Sequence, residues 1–243
     1  MQVLPDFLAE TNYRDVDDSA KTAAQKAFGT DLPTLMYFPT QPKRFKALQQ
    51  AMVAAPLPAT QWFEAFPFEK ELGAFAGPLA FVDVGGGFGH RSVALLDAFP
   101  EKLRGRILLQ DLPQTLDHMP PLEGIPFDAH DFFQPQSVKS PKFFYMRNVL
   151  HDWPDDKALV ILKHLKDALG PESQILVNEI VMPNSGVHWH ATSFDMIMMS
   201  ALGSRERTEA DWHALFDAAG LKIKQIYTYF PRQQESIIQV VPK

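Results

Sequence analysis

Residues 81–90 read FVDVGGGFGH, and this stretch decides the fold. An apolar strand runs into Asp83, a Gly-x-Gly-x-Gly turn follows at Gly85, Gly87 and Gly89, and an amphipathic helix comes next. A strand, a glycine turn and a helix in this order bring backbone N–H groups and a helix N-terminus up to a nucleotide-like ligand. The simpler alternative is a tight turn between strand and helix that binds nothing.

The spacing of the glycines indicates which ligand to expect. A dinucleotide fingerprint has the pattern Gly-x-Gly-x-x-Gly, and His90 stands where its third glycine or alanine belongs. Because the third glycine comes one position early and an acid precedes the turn, the loop better fits a ligand without a pyrophosphate. We therefore expect S-adenosylmethionine (SAM), with its amino-acid end against the glycines.

The composition excludes several classes of function. The 243 residues suffice for one large domain with a small appendage. A net charge of −6 without a dense basic stretch argues against a nucleic-acid partner. The chain has no cysteine, which excludes disulfides, thiolate metal sites and cysteine nucleophiles. We find no signal-peptide core and no apolar run as long as a membrane span, and we expect a cytoplasmic protein without a membrane partner.

From about residue 79 onward, strand-like and helix-like segments alternate, which predicts an α/β protein with a mostly parallel sheet. The strand-like runs are Leu79–Val84, Arg106–Leu109, Phe143–Val149 and Gln174–Ile180, with helices expected over Arg91–Phe99 and Ala158–Leu169. Near the C-terminus, the runs Lys222–Tyr229 and Glu235–Val241 suggest an antiparallel hairpin at one sheet edge. The capping-box-like segment 208–211 predicts a helix before that hairpin.

The first 75 residues have a different pattern. Helical patches at Ser19–Phe28 and Arg44–Ala54 are interrupted by Pro and Gly. We interpret residues 1–75 as a helical appendage that packs on an α/β domain of residues 76–243. Together with Asp195–Gly203, this appendage is expected to form the walls of the substrate pocket.

Ligands of open α/β sheets bind outside the carboxyl ends of the strands. The candidate side chains at those ends are Asp83, Asp111, Asp131 with Phe132, Arg147, His151 with Asp152, and Glu179. Asp111 follows the second strand, where an acid can bond ribose hydroxyls. Asp131 can accept a hydrogen bond from an adenine amine, while Phe132 covers the ring.

Several of these residues have a structural alternative. Asp111 precedes Leu-Pro and could cap a turn, and Asp131 could be an ordinary loop acid. Arg147 either binds a cofactor carboxylate or pairs with a neighbouring acid. Trp153 either covers the cofactor or anchors the next helix.

Six segments, taken in order, carry a family resemblance: VDVGGGFGH, LLQDLP, HDFF, RNVLHDWPDD, NEIVMP and SRERTEADW. From about residue 79 to the C-terminus the chain resembles the small-molecule O-methyltransferases of the plant caffeate and fungal secondary-metabolite type. The segments FLAETNY and AFGTDL resemble the helical part that precedes the catalytic domain in the fungal members. The resemblance implies a Rossmann-like class I methyltransferase fold with a seven-stranded sheet, with SAM as methyl donor, S-adenosylhomocysteine (SAH) as product and no metal.

The resemblance also implies roles for individual residues. It makes His151, in LHDWPDD, the catalytic base, with Glu179 and Glu206 orienting or flanking it and Asp152 beside it near the substrate hydroxyl. It implies cofactor contacts for Asp83, Gly85, Gly87, Asp111, Asp131, Phe132 and Arg147.

The implied reaction is methyl transfer to a phenolic or enolic hydroxyl of an aromatic secondary metabolite. A phenol has a pKa near ~10 and is a poor nucleophile at neutral pH until its proton is removed. Histidine, with an ordinary pKa near ~6.5, can take that proton as the oxygen attacks. Nearby carboxylates fix its tautomer and stabilise the imidazolium that forms.

Two departures from the family pattern leave alternatives open. The usual winged-helix-like dimerisation domain is expected to be missing, which leaves open the oligomeric state and the need for a partner protein to complete the site. The apolar pair Ala201–Leu202 stands where a more polar residue is expected. One alternative function is a pericyclic or elimination reaction in which the cofactor plays no chemical part. Another is that of a non-catalytic partner subunit.

Overall fold

The computed structural model describes residues 2–54 and 60–243. The helices are α1 (Leu4–Glu10), α2 (Ala23–Phe28), α3 (Thr34–Tyr37), α4 (Pro42–Ala54), α5 (Trp62–Ala65), α6 (Phe68–Leu72), α7 (His90–Ala98), α8 (Pro100–Leu103), α9 (Pro113–Leu116), α10 (Asp155–Lys166), α11 (Trp189–Ile197) and α12 (Glu209–Ala218). The strands are β1 (Phe81–Val84), β2 (Ile107–Asp111), β3 (Phe127–Ala129), β4 (Phe143–Arg147), β5 (Gln174–Ile180), β6 (Leu221–Phe230) and β7 (Glu235–Pro242).

Seven strands form one sheet in the order β3-β2-β1-β4-β5-β7-β6. The first five strands pair in parallel, and β7 runs antiparallel to both β5 and β6. This confirms the predicted mostly parallel, seven-stranded sheet with an antiparallel C-terminal hairpin at one edge. The strand β3 has only three residues, too few to stand out as an apolar run in the sequence.

The strand order reverses at β1, which lies between β2 and β4. In open sheets such a reversal opens a crevice at the carboxyl ends of the two central strands, because the connections leave in opposite directions. Here the glycine turn follows β1, and the segment that carries His151 follows β4. The topology therefore brings together two motifs that are about sixty residues apart in the sequence.

The strand β4 ends at Arg147, two residues earlier than predicted. The next residue, Asn148, has a φ of 51°, in the left-handed region that asparagine tolerates better than most residues. The strand stops there, and Leu150–Asp152 form a single 3₁₀ turn. His151 consequently lies on a short turn beyond the sheet rather than on a strand.

Two helices begin with clear local signals. The helix α12 has the predicted capping box, in which the Thr208 hydroxyl accepts from the Asp211 N–H and the Asp211 carboxylate accepts from the Thr208 N–H. The helix α10 begins at Asp155, three residues earlier than predicted, with two acids in its first turn where the helix dipole favours them.

Within the described ranges, no helix combines the length and the apolar character needed to cross a membrane.

The helices α5 and α6 belong to the core of the sheet. Trp62 is fully buried and stacks on Tyr145 of β4, with 4.8 Å between ring centroids, and on Phe81 of β1. Phe66 and Phe68 lie in the same aromatic cluster. The predicted division at residue 75 therefore does not coincide with a break in the hydrophobic core, because residues 62–72 pack inside it.

The first helices pack instead on the segment that follows α11. Side chains of α1 and α2 form a small cluster against Met199. The Thr34 hydroxyl donates a hydrogen bond to the Ala201 carbonyl. The backbone of Asp18 passes so close to Gly203 that a Cβ built on Gly203 would lie 2.7 Å from it. These contacts join the N-terminal helices to the segment expected to line the substrate pocket.

Candidate active site

The glycine turn after β1 presents an open backbone surface. Gly87 has a φ of 55°, and a Cβ placed on it would meet no heavy atom within 4 Å. Gly89 also has a positive φ, but a Cβ there would collide with Leu122 and Leu109. The two glycines therefore serve different purposes: Gly89 allows close packing, whereas Gly87 leaves space for a ligand to approach the backbone.

Asp111, at the end of β2, reaches this turn. Its Oδ2 accepts a hydrogen bond from the Gly87 N–H at 2.8 Å, and its Oδ1 accepts from the Leu112 N–H at 2.8 Å. The second hydrogen bond is the turn cap that the sequence left open as an alternative role for Asp111. The first places the carboxylate beside the glycine turn, where the predicted ribose contact requires it.

Asp83 lies beneath the turn rather than facing the crevice. It is buried, and its Oδ2 accepts from the Ser92 hydroxyl at 2.6 Å, which ties α7 to β1. Burial raises the pKa of Asp83 to about 6, with the charge of Asp111 acting in the same direction, against the Ser92 hydrogen bond and two nearby arginines. This side chain has a structural task, and its predicted cofactor contact remains a prediction.

Arg147 takes up one of its two sequence-based alternatives. Its Nη2 lies 3.2 Å from Glu235 Oε2, an ion pair in which both side chains are largely buried. Its Nε is buried and has no hydrogen-bond partner among the described residues, and the same holds for Nη2 of Arg91. Two unused guanidinium N–H groups near Asp83 suit the carboxylate of an amino-acid ligand, so the ion pair does not remove the predicted cofactor role.

Aromatic side chains cover the other side of the glycine turn. An edge carbon of Phe132 would lie 3.6 Å from a Cβ on Gly85, and its ring packs edge-on against Phe133 and Trp153. Asp131 holds this loop, since its Oδ1 accepts from the Phe133 N–H at 2.9 Å. The structure thus places Phe132 beside the turn, where the sequence expected an adenine cover, and shows Asp131 in a loop-capping contact.

His151 is buried and stands among three carboxylates, of which those of Glu179 and Glu206 are buried as well. Its Nδ1–H donates to Glu206 Oε1 at 2.9 Å, and the same nitrogen lies 3.6 Å from Glu179 Oε2. Its Nε2 lies 3.4 Å from Asp152 Oδ1. Glu179 also uses its Oε1 to accept from the N–H groups of Val149 and Leu150, which fixes the turn before His151. The four residues implied by the resemblance therefore meet at one point.

The charges in this group change the protonation of its members. Burial lowers the pKa of His151, but the carboxylates around it outweigh that effect and raise the pKa to about 10. Burial raises the pKa of Glu179 to about 7 and that of Asp152 to about 6, although the neighbouring imidazole opposes both shifts. The arrangement stabilises a proton on the imidazole, which is what a base needs after it has taken one.

The same side chains are of types that also bind metals. Ligand atoms of His151, Glu179 and Glu206 lie within 4.8 Å of one another. The 2.9 Å between His151 Nδ1 and Glu206 Oε1 is an ordinary hydrogen-bond distance. We interpret the group as a base with orienting acids, and the metal-free site stays a prediction.

A cleft of about 850 Å³ adjoins Glu206 on the side of the N-terminal helices. Its walls include Tyr13 and Val16 on one side and Met199 and Ser204 on the other. Neither His151 nor the glycine turn lines this cleft. Of the four residues grouped around His151, the cleft therefore contacts Glu206 and does not reach His151 itself.

The sheet order, with the glycine turn after β1, defines a Rossmann-like fold of the methyltransferase type. A model of the O-methyltransferase domain matches residues 25–222, and the chain belongs to this family. Demethylsterigmatocystin 6-O-methyltransferase of Aspergillus parasiticus is 46% identical over 244 residues, covering 100% of this chain and 62% of that protein. The chain spans 62% of the length of this relative and of the enzyme of the same name from Aspergillus flavus.

Two solved structures are also similar. One, described as a pericyclic reaction enzyme, superposes with a TM-score of 0.91 at 38% identity, covering 100% of this chain and 63% of that one. The structure of LepI in complex with SAM gives the same TM-score, identity and coverage. These comparisons confirm the predicted fold and family, whereas the roles of single residues remain predictions.

One buried residue beside the site was not predicted from the sequence. Arg207, next to Glu206, is fully buried behind the turn that carries His151. The only sequence signal was its position beside a candidate acid, since its partners are backbone carbonyls from about fifty residues away.

Proposed function

We propose that this chain transfers the methyl group of SAM to a phenolic or enolic hydroxyl of an aromatic small molecule. The observation that carries this proposal is the 2.9 Å contact between His151 Nδ1 and Glu206 Oε1, at the carboxyl end of the strand beside the glycine turn. Such a contact keeps the proton on Nδ1 and leaves Nε2 as the ring nitrogen that can accept another. The curated relative named above is an O-methyltransferase.

Several residues near the glycine turn would hold the cofactor. Asp111 would bind the ribose, Phe132 with Asp131 the adenine, and Arg147 the carboxylate. Gly85 and Gly87 would let the ligand approach the backbone. Support comes from the open face above Gly87, the Asp111 contact and the unused Arg147 Nε. When bound, SAM supplies a methyl group already activated by its sulfonium.

His151 performs the proton transfer in this proposal. The neutral imidazole would accept the proton of the acceptor hydroxyl on Nε2, while Nδ1–H keeps its hydrogen bond to Glu206. The imidazolium then has Glu179, Asp152 and Glu206 as counter-charges. The proton later leaves to solvent, which restores the base.

The carboxylates around His151 raise its pKa to about 10, so they would stabilise the imidazolium that forms when the hydroxyl proton is taken. At neutral pH the free imidazole carries a proton. Binding of a phenolate to that imidazolium gives the same protonation state as binding of a phenol to the neutral base.

The test is an assay with SAM whose methyl group is isotopically labelled, together with a panel of hydroxylated polycyclic aromatic compounds. We expect the label in the product and one SAH released per product molecule. Failure of every phenolic and enolic acceptor to take up the label, with SAM binding intact, would contradict the proposal.

A second candidate is supported by the similarity to the solved pericyclic reaction enzyme. In that case the chain would rearrange or dehydrate its substrate while the cofactor stays unreacted. The same assay separates the two, because product would then form without label and without SAH.

A further inference from the structure

Arg207 is a fully buried arginine whose guanidinium lies behind the 3₁₀ turn 150–152. Its Nη1 donates to the Leu150 carbonyl at 2.8 Å and its Nη2 to the Trp153 carbonyl at 2.9 Å. Its Nε and Nη2 also donate to Asp155 Oδ1 at 2.9 and 2.7 Å. The two carbonyls belong to residues on either side of His151.

Hydrogen bonds from two sides hold the turn. Its own backbone hydrogen bonds, from the Asp152 N–H to Val149 and from the Trp153 N–H to Leu150, are long at 3.2 and 3.3 Å. On the opposite side, Glu179 accepts from the Val149 and Leu150 N–H groups. Glu179 thus accepts hydrogen bonds from the N–H groups of the turn, and Arg207 donates hydrogen bonds to its carbonyls.

The position of Arg207 in the sequence links its hydrogen bonds to the turn with the carboxylate of Glu206. Glu206 directly precedes it and contacts His151 Nδ1, while Asp195 holds the Glu206 backbone N–H at 2.9 Å. One extended segment therefore supplies both the acid that faces the imidazole and the cation that fixes the turn carrying it. Any shift of the turn relative to this segment changes the distance from His151 to Glu206.

We propose that Arg207 is a positioning residue, which holds the His151 turn so that Nδ1 stays on Glu206 and Nε2 stays directed at the acceptor hydroxyl. This inference rests on the proposed function. A guanidinium suits the task because its planar fork reaches two carbonyls and a carboxylate at once, whereas a lysine ammonium cannot match that geometry. Its buried charge is compensated by Asp155 and by the face of Trp212, 5.1 Å from the guanidinium carbon.

Arg205 provides a matched control. Its Nη2 pairs with the other oxygen of the same carboxylate, Asp155 Oδ2, at 3.1 Å, but its side chain is half exposed and donates no hydrogen bond to the turn. Arg205→Lys and Arg207→Lys are therefore the same substitution, two positions apart and beside the same acid. Only Arg207→Lys removes hydrogen bonds to the carbonyls of the His151 turn.

The experiment compares these two variants with the wild-type chain by NMR titration of ¹³C-labelled histidines. The signal of His151 is identified by its loss in His151→Asn. The ionisable groups that face His151 are Glu179, Asp152 and Glu206, with Asp195 behind them. We expect Arg207→Lys to move the titration midpoint of His151 downward, because the imidazole leaves its carboxylates, while Arg205→Lys keeps the wild-type midpoint.

A wild-type midpoint in folded Arg207→Lys would overturn the proposal, even with lowered stability, since it would reduce Arg207 to a merely structural role. If Arg207→Lys does not fold, Asp155→Asn takes its place. Asparagine retains the acceptor oxygen and removes the negative charge that holds Arg207 in place. A smaller downward shift of the midpoint is therefore expected, and an unchanged midpoint would overturn the proposal.

The titration needs no substrate, so it tests Arg207 even if the chain methylates nothing. With an accepted phenol in hand, kcat of Arg207→Lys should fall by about 10²-fold with little change in KM, the size typical of a small misplacement of a catalytic group. An unchanged kcat would contradict the positioning role and leave the methyl-transfer proposal standing.

Discussion

The Nδ1 nitrogen of His151 lies 2.9 Å from Oε1 of Glu206, a residue 55 positions further along the chain. His151 follows β4, whereas Glu206 precedes α12, so the contact forms only once β5 and α11 are folded between them. Both side chains are buried, and Glu179 of β5 closes the group from the side. The grouping of His151 with its carboxylates is therefore a product of the sheet topology.

Removing Asp111 should weaken cofactor binding. If Asp111 binds the ribose hydroxyls, Asp111→Ala loses a charge-assisted hydrogen bond, and the affinity for SAH should fall by about 10- to 100-fold. Calorimetric titration measures this directly. The control is Asp117→Ala, an exposed acid just beyond α9, which should bind as the wild type does. Equal affinity of the Asp111→Ala variant would show that the residue only caps its turn.

Gly87 and Gly105 allow the cofactor effect to be separated from backbone strain. Both have positive φ, and at both a Cβ would meet nothing within 4 Å. Alanine at either position should cost a similar ~1–2 kcal/mol of stability, because both must hold a left-handed conformation. SAH affinity should fall only in Gly87→Ala, since its methyl group points into the space predicted for the ligand. Equal SAH binding by the two variants would contradict this placement.

Trp62 should be essential for the stability of the sheet. Its indole is fully buried among Phe81 and Tyr145, so Trp62→Ala should lower the free energy of unfolding by about 3–5 kcal/mol in urea titrations. Trp189, which is 69% exposed, provides the comparison, and Trp189→Ala should change stability by less than about 0.5 kcal/mol. A similar small effect at Trp62 would mean that residues 62–72 form a separable appendage after all.

The stability of the chain should depend on the charge of the His151 group. The folded state holds the His151 proton up to a pKa of about 10, against 6.5 for an ordinary histidine. The folded chain therefore binds more protons than the unfolded chain in this range. The stabilisation is complete below about pH 6.5 and is lost as the pH rises through about 10. The double variant His151→Gln/Glu179→Gln should show a flatter profile, and a slope equal to the wild type's would contradict the raised pKa.

The fold could be predicted because its signals are local. The glycine turn, the apolar runs of β1 and β5 and the capping box at Thr208 each occupy a few consecutive residues, and all three appear in the structure. The strand β3 carried no such signal because it is short and only partly buried. Trp62 lies in a Pro- and Phe-rich stretch without clear periodicity, so its burial against Tyr145 could not be foreseen.

The site could be predicted only in part. The resemblance supplied His151, Glu179 and Glu206, and the structure brings them together as expected. Arg207 could not be found in this way, since a backbone carbonyl acceptor leaves no trace in residue identity. The ion pair of Arg147 with Glu235 was also hidden, because it depends on how β7 inserts beside β5.

The most direct test of the account is the rate of methyl transfer to a phenol by His151→Asn, measured in single turnovers at saturating SAM. Asparagine keeps a hydrogen-bonding group near Glu206 but cannot act as a base at neutral pH. The account predicts a rate lower by about 10²–10⁴-fold, the usual contribution of a general base, with unchanged affinity for SAH. Methyl transfer by His151→Asn at the wild-type rate would contradict it.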